Sequence, residues 1–342
     1  MPRNHDRPTS PRNSTNGRSA VPGPLRAGMA ALSAVAPALA ARAGERLFMS
    51  PPRTRAPARE REELAGWQPF SVEHAGARLA AWQRGSGPSV LLVHGWGGRG
   101  GQLSAFAPAL EEAGCRVVAF DAPAHGASPG RLASALVFAD AVDAMARATG
   151  ARAVIGHSLG GAAVAVALTR GVPFDAAVLV GAPRAPGGFF QSFGDAFALS
   201  EPMRAAVRAR IEARVGMRLD ELDLPAMAPR AAAAPLLVVH DHSDAEVPFA
   251  SGSAIAEAWP GARLLATDGL GHRRILRDPE VIDAAVSFLV ERLPRCACGR
   301  LACDETPGGE PSCAGCAVAD DLWARGRRRA WAMRSTAEVT AA

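Results

Sequence analysis

The chain predicts an α/β fold, a mostly parallel sheet with helices on both faces. Short apolar runs at 88–93, 117–120, 151–155, 176–180, 235–239 and 262–266 alternate with helical patterns at 132–148, 160–170, 251–259 and 279–293. Such alternation builds parallel sheets covered by helices. The residues best suited to chemistry stand just past the ends of those runs, so the fold gathers them on one edge of the sheet.

Residues 1–24 are polar and rich in Pro, Ser, Asn and Arg, a composition that predicts disorder. An Ala-rich stretch follows. Read with Arg42, Glu45, Arg46, Leu47 and Phe48, it predicts an N-terminal helix over 25–46 packed on the body. Residues 25–43, with basic residues ahead of them and Ala38-Leu39-Ala40 inside them, also fit a signal segment. The first strand ends in His94, Gly95, Trp96, Gly97 and Gly98, and the second in Asp121, Ala122, Pro123, Ala124, His125, Gly126, Ala127 and Ser128. The third ends in Gly156, His157, Ser158, Leu159 and Gly160, a G-x-S-x-G. Small residues there allow a sharp strand-to-helix turn that presents a serine hydroxyl as nucleophile. The run at 235–239 ends in His240, Asp241, His242, Ser243 and Asp244, and the last run leads into Gly269, Leu270, Gly271 and His272.

In their order, the His94-Gly95 loop, the Gly156 to Gly160 elbow, the acid-bearing loop and Gly271-His272 resemble the α/β-hydrolase fold family, specifically small bacterial serine hydrolases of the esterase type. The resemblance covers 47–293. It departs from the family at 121–128, where Ala124 and His125 replace a glycine and a variable residue of D-x-x-G-x-G-x-S. It implies Ser158 as nucleophile, His272 as base and an acid that orients the histidine. Asp241 and Asp244 compete for that role; related hydrolases end this strand in H-G-x-x-D, which selects Asp244. Backbone N–H groups of Trp96 and Leu159 would form the oxyanion hole. The implied substrate is a small acyl compound, a carboxylic ester or a related thioester or lactone, with a C–C bond as a further variant, and catalysis needs no cofactor. The alternative is a ligand-binding protein of the same fold that turns over slowly or not at all.

A dinucleotide reading competes locally. Gly95, Gly97 and Gly100 spell G-x-G-x-x-G, and Asp121 closes the next strand as a ribose-binding acid would. It leaves His94, the elbow and His272 unexplained.

The insertion 182–234 carries Phe189, Phe190, Phe193, Phe197 and Leu199 at helical spacing and an Arg-rich helical pattern over 201–215. It reads as a helical layer, and the resemblance implies a cap over the site with the phenylalanines as candidates for an apolar acyl pocket. Composition excludes other chemistry. All 38 Lys+Arg residues are arginine and tyrosine is absent, which removes a Walker-A lysine, a Schiff base and a phenolic acid. The charge of +5 is spread along the chain, so no nucleic-acid partner is expected. Arg325, Arg327, Arg328, Arg329 and Arg334 with Trp323 and Trp331 read as a helix docked on the body. No segment reaches the ~20 apolar residues that span a bilayer, and the expectation is a cytoplasmic protein, or an exported one if 25–43 is a signal. Oligomeric state is left open.

Five of the six cysteines, Cys296, Cys298, Cys303, Cys313 and Cys316, fall in the tail 294–342. Their spacing, C-x-C-G and then C-x-x-C after a Gly/Pro-rich turn, predicts a structural Zn²⁺ site on Cys296, Cys298, Cys313 and Cys316. A thiol-rich disordered tail or a disulfide-stapled one are the alternatives.

Overall fold

The computed structural model describes residues 21–53, 55–231, 234–302, 304–305 and 311–313. Three helices open the described residues, α1 (Gly23–Val35), α2 (Pro37–Met49) and α3 (Ala58–Leu64). A hairpin, β1 (Gln68–His74) and β2 (Ala77–Gly85), leads into β3 (Ser89–Val93), α4 (Ala107–Glu112) and β4 (Arg116–Phe120). Then come α5 (Ala135–Thr149), β5 (Ala151–His157), α6 (Leu159–Thr169) and β6 (Ala176–Val180). The insertion holds α7 (Phe189–Ala196), α8 (Glu201–Val215) and α9 (Leu224–Met227). The body closes with β7 (Leu236–Asp241), α10 (Phe249–Ala258), β8 (Arg263–Thr267), α11 (Gly271–Arg274) and α12 (Pro279–Val290).

The eight strands form one sheet in the order β1-β2-β4-β3-β5-β6-β7-β8. Only β2 runs against its neighbours β1 and β4; from β4 onward every pairing is parallel. The hairpin β1–β2 is absent from the sequence-based expectation. It lies at the edge with one face half-exposed, so it lacks the continuous apolar signature of strands covered on both faces. Its turn, Ala75-Gly76, places both residues at positive φ, 50° and 74°, as a two-residue hairpin turn requires.

Alternation along β3 shows the two cores. Leu91 and Val93 face one with Phe138, Val142 and Met145 of α5 and Val164 and Leu168 of α6. Val90 and Leu92 face the other with Leu110 of α4 and Val281, Phe288 and Leu289 of α12. Local signals set the helix ends. Ser134 Oγ accepts the Val137 N–H at 3.2 Å and Asp278 Oδ1 accepts the Val281 N–H at 3.1 Å, capping α5 and α12. Gly150, with φ 60°, stops α5.

The single helix expected over 25–46 is divided into α1 and α2 at Ala36, because Pro37 can begin a helix but not continue one. Helix α1 starts at Gly23, inside the stretch expected to be disordered; residues 1–20 lie outside the described residues. Met29, Ala40, Ala41 and Met49 share a third core with Phe190, Phe197, Leu199, Met203, Val207 and Ile211, so the N-terminal helices bury their apolar faces against α7 and α8. That core corrects the acyl-pocket expectation. Phe48 of α2 meets the rings of Phe190 and Phe193 edge-on at 5.5 and 5.4 Å, and Phe193 lies 4.7 Å from Phe197. These phenylalanines fill a helix seam because the N-terminal helices α1 and α2 supply an apolar face for them.

Where α2 crosses α8, a Cβ on Gly44 would stand 2.7 Å from Val207 Cγ2, so the approach needs glycine. At the next residue, the buried Glu45 carboxylate accepts hydrogen bonds from Arg210 and Arg214. Burial opposes its charge, but the two guanidinium bonds outweigh that and hold its carboxyl below the usual range. Among the described residues no helix is long and apolar enough to cross a membrane. The Arg/Trp cluster at 323–334 lies outside the described residues.

Candidate active site

Between β5 and α6 the chain reverses over a single residue, Ser158, at φ 53° and ψ −122°. A positive φ costs a residue other than glycine on the order of 1–3 kcal/mol and persists only when its surroundings impose it. Here the Ser158 N–H donates to Val180 O at 2.9 Å, locking the turn to the end of β6. A Cβ on Gly160 would fall 2.3 Å from His94 O and 2.5 Å from Val93 O. Glycine is therefore required for α6 to start against β3. Ser158 remains half-buried, reachable from solvent.

His272 stands on the short α11 after β8. Its Nδ1 donates to Asp244 Oδ2 at 2.7 Å, while Asp244 Oδ1 accepts the N–H groups of Glu246 and Val247, both at 2.8 Å. Burial opposes ionisation of Asp244, whose side chain is 1% exposed. The bonds from His272, Val247 and Glu246 outweigh it and keep the carboxyl below the usual carboxylate range. Both ends of the site meet at the tip of β6: Val180 holds Ser158, and a Cβ on the next residue, Gly181, would lie 3.2 Å from His272 Nδ1 and 3.4 Å from Asp244 Oδ2.

The competing acid does different work. Asp241 accepts from Ser243 N–H at 2.9 Å, Thr267 Oγ1 at 2.7 Å, Leu270 N–H at 3.0 Å and Gly271 N–H at 2.8 Å. Four bonds to one carboxylate fix the loop that delivers His272. His157, beside the nucleophile, points away from solvent; its Nε2 donates to His272 O at 2.9 Å and its ring lies 4.6 Å from that of His272. Burial, reinforced by neighbouring His272, pushes its pKa down to about 3, so it stays neutral.

Trp96 lies in a loop held on both sides. The Gly95 N–H donates to Gln102 Oε1 and the Gly97 N–H to His125 Nε2, each at 3.0 Å, fixing the peptide between them. His125 Nδ1 donates to Pro123 O at 3.0 Å, and His94 joins Gly95 O at 2.7 Å and the Ala122 N–H at 3.0 Å. Burial holds both histidines below their ordinary range, His94 at about 3. Leu159 opens α6, where a first-turn N–H has no helical acceptor. Asp121, the acid of the dinucleotide reading, is buried and accepts the Gly100 and Ala127 N–H groups, both at 2.7 Å; it faces the loop it braces, not a nucleotide.

Two family models match: one described as alpha/beta hydrolase fold, over residues 88–208, and one described as TAP-like protein, over 221–293. The chain belongs to the α/β-hydrolase fold family. Among solved structures of this fold, an esterase from Pyrococcus furiosus superposes with a TM-score of 0.56 at 18% identity, covering 71% of this chain and 97% of that one. An esterase from Exiguobacterium antarcticum superposes with a TM-score of 0.51 at 18% identity, covering 65% and 99%. A curated relative, the pimeloyl-[acyl-carrier protein] methyl ester esterase of Methylococcus capsulatus, is 51% identical over 45 residues, 13% of this chain and 17% of that protein.

The hydrolase fold thus brings Ser158, Asp244 and His272 to neighbouring strand ends with Trp96 and Leu159 beside them. Gln102 and the four-bond Asp241 anchor went unforeseen; Asp241 carried a signal in its place in the acid-bearing loop, and His125 in its place after the second strand. Of the expected metal ligands, Cys296, Cys298 and Cys313 come together, their Sγ atoms within 4.8 Å of one another. Cys303 and Cys316 lie outside the described residues.

Proposed function

We propose that the chain is a serine hydrolase that cleaves a carboxylic ester, or a related thioester or lactone, through an acyl-enzyme on Ser158. The observation that carries this reading is the 2.7 Å bond from His272 Nδ1 to Asp244 Oδ2 beside a serine held at positive φ. With Nδ1–H committed to the carboxylate, His272 Nε2 is the bare, basic nitrogen. It takes the Ser158 proton as Oγ attacks the carbonyl carbon and returns it to the leaving alcohol. Water then repeats the sequence on the acyl-enzyme. Asp244, ionised at neutral pH, fixes the tautomer and offsets the imidazolium charge. The Trp96 and Leu159 N–H groups receive the developing oxyanion; one such donor is worth about 2.7–4 kcal/mol.

The ester bond in the name of the Methylococcus relative supports the substrate class. Met29, Ala40 and Ala41 belong to the folded core, which supports a chain that keeps residues 25–43. An active-site-directed alkyl phosphonate, followed by peptide mapping, tests the nucleophile, and a panel of short- to long-chain acyl esters tests turnover. Adduct on Ser158 with hydrolysis of at least one ester is expected. Adduct without turnover on any ester would favour the ligand-binding reading; no adduct would overturn the nucleophile.

A further inference from the structure

The tail beyond α12 carries a feature the hydrolytic reading does not use. Arg295 pairs antiparallel with Leu301, and the turn between them is tied by Cys296 N–H to Arg300 O at 2.9 Å and Gly299 N–H to Cys296 O at 2.8 Å. Gly299 sits at φ 86°, where a side chain would be strained. Cys296 and Cys298 therefore lie within one tight turn. A second antiparallel pair, β9 (Asp304–Glu305) with β10 (Pro311–Ser312), returns the chain so that Cys313 faces that turn.

All three Sγ atoms lie within 4.8 Å of one another, and Cys298 and Cys313 approach to 3.5 Å. Thiolates at about 2.3 Å from a tetrahedral Zn²⁺ are separated by about 3.8 Å, whereas a disulfide closes to about 2.05 Å. The observed spacing matches the first geometry. A disulfide would also leave one of the three sulfurs unused.

Packing gives a second argument. Among the described residues, the buried cluster of this segment is Cys296, Ala302 and Cys313, far too little apolar surface to order two hairpins. Segments of this size need a metal or a covalent staple. Among the described residues of the segment, Leu301 reaches into the core beneath α12, which fastens it to the body.

We propose a structural Zn²⁺ site held by Cys296, Cys298 and Cys313. A thiolate set suits Zn²⁺, and none of the three cysteines belongs to the residues around Ser158, so the ion orders the tail and takes no part in hydrolysis. Each thiol gives up its proton on binding, and the free energy of coordination becomes folding free energy of the tail.

The test uses the full chain, purified under reducing conditions without chelator. Elemental analysis is expected to give one zinc per chain. Replacement by Co²⁺ should produce the strong visible absorption of a tetrahedral thiolate site. Cys298→Ser with Cys313→Ser should remove the metal and expose the tail to protease while short-chain ester hydrolysis stays unchanged. Zinc well below one per chain after added Zn²⁺, full thiol reactivity in the native protein, or a Cys298–Cys313 disulfide in peptide maps overturns the site, whatever the outcome for Ser158.

Discussion

Around His272 positions are set by short polar bonds, four of them on Asp241 alone, whereas between α2 and α8 they are set by apolar side chains and one buried carboxylate. The two regions divide the work of the chain. Directional bonds fix individual atoms to tenths of an ångström, which chemistry demands. Non-directional burial supplies cohesion and tolerates small displacements. Substitutions in the first region should therefore fall on rate, and those in the second on stability.

The largest effect is expected at Ser158. Ser158→Ala should lower kcat toward the best ester by about 10⁶ and leave the melting temperature within a few degrees, and His272→Ala should cost nearly as much because the groups act as a unit. Relief of the serine's backbone strain is not part of this change, since alanine carries the same Cβ. An undiminished rate in Ser158→Ala would remove the nucleophile from the reading.

Next comes the contrast within the acid loop. Asp244→Asn should reduce kcat by about 10⁴ by favouring the wrong histidine tautomer, with little loss of stability. Asp241→Asn replaces an acceptor of four bonds by a group that presents two donors, so it should destabilise by about 1–3 kcal/mol and slow turnover far less. Rates and melts on both proteins decide; the opposite ranking of rates makes Asp241 the orienter.

A smaller kinetic effect is expected from the Trp96 loop. His125→Ala frees the Gly97 N–H and should loosen the donor without removing it, lowering kcat by about tenfold to a hundredfold with KM little changed. A KM-only effect would move His125 from the oxyanion loop to substrate binding.

Much of this division could be read in the amino-acid order. Runs buried on both faces, such as 176–180, match their strands because uninterrupted β-branched and aliphatic residues have few other destinations, and G-x-S-x-G at 156–160 has steric reasons for each glycine. The edge hairpin β1–β2 was hidden by its polar, half-exposed alternation. The seam was hidden for another reason: an Ala-rich helix and a Phe-rich helix declare apolar faces but not their partner. Pairings between residues 165 and 169 apart, such as Glu45 with Arg210 and Arg214, leave no local trace.

That seam yields the stability prediction. Glu45→Gln should cost about 1–2 kcal/mol at neutral pH, well under the 3–5 kcal/mol of a fully buried pair, because both arginines are nearly half exposed. The sign of its pH dependence follows from the lowered carboxyl pKa. The contribution of Glu45 is present above its ordinary value near 4.5 and is lost as pH falls below that through the folded-state value. Melting curves of the two proteins should converge in acid, with turnover per folded molecule equal at neutral pH. Curves that stay parallel down to acid pH would place the cost in packing and not in charge.

The smallest kinetic effect is expected where the sequence suggested specificity. Phe193 packs among Phe48, Phe190 and Phe197, so Phe193→Leu trims a helix seam and leaves the end of the sheet untouched. The expected loss is about 1 kcal/mol of stability from imperfect repacking, with the ratio of short- to long-chain ester hydrolysis unchanged within twofold. The ratio is the informative quantity, because partial unfolding lowers both rates equally and cancels. A chain-length preference that shifts tenfold in Phe193→Leu while the melting temperature holds would mean that the seam opens in solution to admit an acyl chain, and would return these phenylalanines to the substrate.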